Sequence, residues 1–60
     1  MYNWYVRFTY KAKQAPDAHY GNETVEVFAP SAADAITMVR TNYALQCGDE
    51  LVVLNVQYKH

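Results

Sequence analysis

Three groups of side chains in this chain are of types that do chemistry. Asp17, His19 and Tyr20 stand close together, Cys47 precedes Gly48, and Tyr5, Arg7, Lys11 and Lys13 fall on alternating positions of one segment. A carboxylate, an imidazole and a phenol side by side are the groups of an acid–base catalyst. Such a catalyst also needs a concave pocket, which a chain of 60 residues hardly encloses. These three are therefore expected to make local turns. Cys47 is expected at a helix C-terminus, whose field disfavours a thiolate, so it reads as a small apolar filler. The two glycines, Gly21 and Gly48, are too far apart for a phosphate-binding loop. His19, Cys47 and His60 lack the spacing of a metal-ligand set. The expectation is a non-enzymatic protein with no cofactor and no metal.

The alternating segment points to binding. Aromatic rings interleaved with cations on a sheet face are the platform on which single strands of nucleic acid stack. With Phe28 expected beside Arg7, such a platform would hold Tyr5, Arg7, Phe28, Lys11 and Lys13. Two features weigh against it. The net charge is −1, whereas phosphate neutralisation needs uncompensated Lys and Arg. Antiparallel pairing is also expected to bring Lys11 and Lys13 near Glu23 and near Asp49 and Glu50. Single-stranded nucleic acid stays the alternative. The same face is expected to carry Leu51 and Val53 beside Tyr5 and Phe28, which is greasier than a solvated face and marks an interaction site. The expected contact residues are Tyr5, Arg7, Phe28, Val53 and Asn55, with Asp17, His19 and Tyr20 on a protruding loop. Met38 and Leu45 are a candidate second patch.

The elements that position these groups follow from periodicity. From Tyr2 to Lys13, Tyr2, Trp4, Val6, Phe8 and Tyr10 alternate with Asn3, Tyr5, Arg7, Thr9 and Lys11. Successive side chains of a strand point to opposite faces, so this is a strand with one buried side. Pro16-Asp17 and Gly21-Asn22 are turn chemistry and predict a loop over 14–21. A second strand over 23–29 turns Val25 and Val27 inward. A hairpin pairing Phe8 with Val27, Tyr10 with Val25 and Thr9 with Glu26 puts both apolar sets on one face. Ser31 opens a helix as N-cap, with Asp34 in the first turn. Ala32, Ala35, Ile36, Val39 and Tyr43 form its apolar stripe, and Gly48 is its expected stop. A third strand over 51–58 is expected to bury Val52, Leu54 and Val56. A right-handed crossover then gives β-β-α-β, an α+β domain whose three-stranded antiparallel sheet has the order 2-1-3 with one helix on one face.

A single domain this small buries only about 60% of its unfolded surface and needs reinforcement. With one cysteine there is no internal disulfide, which leaves the 15% of aromatic residues and association with another chain. A homodimer or a larger protein partner is expected, and an uncovered third strand rich in branched residues invites strand addition. The lone thiol, the absence of an apolar run near the roughly 18 residues of a membrane helix, and the absence of a leader-like start predict a cytoplasmic protein with no membrane partner.

The segment Thr24-Val-Glu-Val-Phe-Ala-Pro-Ser-Ala-Ala-Asp-Ala-Ile36 resembles a pattern in many short uncharacterised phage and prophage reading frames. In those, a strand of alternating valines runs into Ala-x-Ser and an amphipathic helix. The resemblance spans the middle third of the chain. It implies a free-standing accessory protein that binds and blocks a host or defence protein such as a CRISPR effector, in the host cytoplasm. It brings no functional residues with it.

Overall fold

Four elements follow in order: β1 (Tyr2–Ala12), β2 (Ala15–Ala29), α1 (Ala32–Asn42) and β3 (Glu50–Tyr58). The computed structural model describes residues 1–43 and 49–60, with the backbone alone at Pro16. The strands form one antiparallel sheet in the order β2-β1-β3, and α1 packs on one face of it. The expected α+β architecture is the one observed.

The helix begins where the sequence predicts. Ser31 is extended at φ −152°, its hydroxyl accepts from the Asp34 amide at 3.2 Å, and its carbonyl accepts from the Ala35 amide at 3.0 Å. It ends earlier than expected. Tyr43 is the C-cap, donating its amide to the Val39 carbonyl at 2.9 Å. Gly48, Cys47 and Leu45 lie outside the described residues. Two threonines near this end, Thr37 and Thr41, bond back to the carbonyls of Ala33 and Thr37. Threonine and asparagine are weak helix formers, which suits an early stop at Thr41-Asn42.

Val6 and Phe8 of β1, Ala29 of β2, and Ala35 and Val39 of α1 are fully buried and form the core. Of the expected inward set of β1, Val6 and Phe8 are buried and Trp4 and Tyr10 pack against them, while Tyr2 is 51% exposed. The small residues of α1 let it approach the sheet closely. Eleven residues make a helix of only about 16 Å, while the molecule is 37 Å long. The helix covers the middle of the sheet and leaves both ends of the aromatic strand beyond it.

The register of β1 differs from expectation against both of its neighbours. Phe8 faces Glu23 rather than Val27, and Val6 faces Val25, a slip of four residues along β2. The slip is an even number, so Val25 and Val27 still point at the helix. The hairpin closes tightly through Lys13 and Gln14, and the expected loop over 14–21 is instead the first part of β2. Its turn-forming residues fall at the two irregularities of β2, residues 16–18 between the Lys11–His19 and Ala12–Ala15 pairs, and Gly21 and Asn22 further on. β2 is an edge strand, where a proline is tolerated. Gly21, at φ +69°, and Asn22 form a bulge opposite Thr9; a glycine in the left-handed region is the usual device for that. Thr9 is 8% exposed, and its hydroxyl lies 3.0 Å from the Tyr20 carbonyl and 2.6 Å from that of Gly21. Its single proton serves one of the two.

In β3 the extra residue is Leu54. Arg7 faces Asn55 and Phe8 faces Val53, so Leu54 has no partner and stands 51% exposed. One extra residue reverses the faces of everything before it. Leu51 and Val53 therefore pack against the core, and Val52 sits opposite Thr9 on the other face. This inverts the expected inward set of Val52 and Leu54, while Val56 keeps its place.

Candidate functional site

The face of the sheet away from α1 is built on the odd residues of β1. Asn3 faces Phe28, Tyr5 lies between Glu26 and Gln57, Arg7 between Thr24 and Asn55, and Lys11 between His19 and Glu50. Four of the expected contact residues, Tyr5, Arg7, Phe28 and Asn55, share this face. Val53 does not, because the Leu54 bulge turns it to the core. Phe28 stands beside Asn3, not beside Arg7, so the stacked platform expected from the earlier register is not assembled.

The charges on this face are arranged by specific contacts. Lys59 reaches Glu26 at 2.7 Å and lies 5.7 Å from the centre of the Tyr5 ring. The bond to Glu26 holds the Lys59 ammonium above its ordinary pKa. Lys11 stands opposite Glu50 as expected, but Glu23 belongs to the helix side, across from Phe8. Arg7 donates its Nε–H to the Asn22 side-chain oxygen at 3.0 Å.

Asp17, His19 and Tyr20 do not protrude as a loop, nor do they form one cluster. All three lie in β2. His19 faces Lys11 on the open side, while Tyr20 faces Tyr10 on the helix side and stacks on it at 5.4 Å. The Tyr20 hydroxyl donates to Asp49, whose other carboxylate oxygen accepts the Lys13 amide at 3.0 Å. Phe8 lies between Tyr10 and Tyr43, 5.7 and 5.4 Å from their rings. Partial burial, helped by the Glu23 carboxylate, raises the Tyr10 phenol above its ordinary pKa. Asp49 thereby ties the hairpin tip to the start of β3.

Sequence reasoning missed a surface at the opposite end. Tyr2, Trp4, Pro30, Ser31, Ala32 and Tyr58 line an open apolar groove of about 420 Å³. Trp4 is locked in its floor, because the indole N–H donates to the Ala29 carbonyl at 3.1 Å. Tyr58 meets Tyr2 and Trp4 edge to face at 5.7 and 5.5 Å, and His60 packs on it at 4.9 Å. Tyr2 and Tyr58 are 51% and 41% exposed. The signal was available: an aromatic strand longer than the helix that covers it leaves its first rings bare.

Among the described residues no three His, Cys, Asp or Glu side chains gather as a metal site, and no helix is long and apolar enough to cross a membrane. Comparison of the chain with models of protein families, with curated proteins and with solved structures finds no match.

Proposed function

We propose that this chain is a non-enzymatic protein-binding module that docks a larger protein on its aromatic end and acts by occluding it. The observation that carries this reading is the groove over Trp4, rimmed by half-exposed Tyr2 and Tyr58. Interface centres are enriched in Tyr, Trp and Phe because rigid rings bury much area at small entropic cost. The locked indole adds preorganisation, which reduces what binding must spend on ordering. The resemblance to short phage reading frames supports an inhibitor of a host or defence protein as the form of this activity. A homodimer is the same docking with a second copy as partner.

Substituting Tyr2→Glu together with Tyr58→Glu charges the rim of the groove without entering the core. The expected outcome is loss of partner capture from host lysate, or of dimer mass in solution, with an unchanged far-ultraviolet spectrum. Full retention of both partner and mass would refute the reading.

A further inference from the structure

We propose that the open sheet face carries a carboxylate-binding site centred on Arg7, which receives an acidic side chain of a protein partner. The inference rests on the protein-binding reading only for its occupant, since the site itself is read from this face. The Gly21–Asn22 bulge is what builds it. An inserted residue at a bulge re-aims side chains locally, and here Asn22 accepts the Arg7 Nε–H at 3.0 Å. That bond uses the side of the guanidinium and orients its terminal Nη pair, the fork that takes a carboxylate bidentately.

The surroundings select an anion. Arg7 is exposed, and among the described residues no carboxylate lies within ion-pair distance of it. Its cross-strand neighbours Thr24 and Asn55 are neutral hydrogen-bonding residues. The other cations of the face are differently placed: Lys59 is held by Glu26 and Lys11 stands opposite Glu50. Glu26 and Glu50 also bracket Arg7 along the sheet. A nucleic-acid strand repeats its charge and needs several uncompensated cations in a row, whereas the lysines on this face are matched by these two carboxylates. A peptide segment offering one Asp or Glu meets only the arginine. The net charge of −1 favours the peptide for the same reason.

The test is a nuclear magnetic resonance titration of the full chain with N-acetyl-glutamate N-methylamide, using the glutamine analogue as neutral control. Saturable shifts of the Arg7 Nε–H and the Asn22 side-chain amide are expected with glutamate and not with glutamine. Arg7→Gln abolishes them, and Arg7→Lys, which keeps charge but loses the fork, abolishes most of them. Asn22→Ala keeps the arginine but frees it, weakening binding about fivefold, the worth of one ordinary hydrogen bond. Shifts spread evenly over Arg7, Arg40, Lys11 and Lys13, or retained in Arg7→Gln, would overturn the site. Short oligothymidine moving the same resonances at lower concentration than glutamate would overturn the occupant and assign the face to nucleic acid. If the charged Tyr2 and Tyr58 variant keeps its partner while Arg7→Gln loses the glutamate response, the aromatic docking end fails and this site stands. The converse pattern removes this site alone.

Discussion

Tyrosines crowd both ends of the helix-side face, and they do opposite things there. At the hairpin end, Tyr20 donates to Asp49 and Tyr10 lies against Glu23, so the phenols tie separate strands together. At the other end Tyr2 and Tyr58 meet edge to face around an open groove, and among the described residues neither hydroxyl bonds a carboxylate. The residue type is the same at both ends. What differs is a carboxylate within reach. With one, a tyrosine becomes a strut. Without one, it remains an amphipathic surface that a partner can cover.

The sharpest way to break this contrast is at Gly21. Its backbone is left-handed at φ +69°, and a β-carbon there would lie 3.1 Å from the Tyr10 ring. Gly21→Ala combines the strain of a left-handed alanine with displacement of a ring of the tyrosine tie, for a loss of about 2 kcal/mol. Urea denaturation measures it. The aromatic groove should be untouched, so partner capture is expected to persist below the new midpoint. A cost near zero would mean that the bulge does not organise the hairpin end.

One identical edit at each end comes next in size. Tyr20→Phe removes only the hydroxyl that Asp49 accepts, at a cost of about 1 kcal/mol, typical of one hydrogen bond. Tyr58→Phe removes a hydroxyl that bonds no carboxylate among the described residues and should stay within about 0.5 kcal/mol of the parent, as surface changes usually do. Equal losses in urea titrations of the two variants would erase the distinction between strut and surface.

The same contrast explains what could be read in the chain beforehand. Val6, Phe8, Val25, Val27, Ala35 and Val39 alternate or repeat with one clear phase, and their places followed from it. Ser31 followed from its hydroxyl. Leu51-Val52-Val53-Leu54 is apolar at every position, so period two has no phase there, and pairing with β1 alone decides which members turn inward. The Leu54 bulge settles it. Gly21-Asn22 has the composition of a turn and of a bulge alike, and only the edge position of β2 separates them. The Arg7 contact with Asn22 was hidden for that reason. The aromatic groove lies beyond the start of α1, where Pro30, Ser31 and Ala32 meet Tyr2, Trp4 and Tyr58, and it depends on how far β1 and β3 run past that end.

The smallest effect is confined to alkaline solution and sharpens the hairpin side alone. Burial first, and the charge of Glu23 second, raise the Tyr10 phenol above its ordinary value of 10.0 in the folded chain. A group that holds its proton more tightly when folded contributes stability that is complete below the unfolded pKa and is lost as pH rises through the folded one. The parent should therefore begin to lose stability above about pH 10. Lys59 acts with the same sign from its own ordinary value of 10.5, through its bond to Glu26, so the parent's slope contains both. Tyr10→Phe removes the first contribution and leaves the second. Urea midpoints of the two proteins should run parallel at neutral pH and converge above pH 10, the parent falling faster. Parallel curves throughout would show that Tyr10 titrates alike in both states, and that its place against Glu23 confers no preference for the protonated ring.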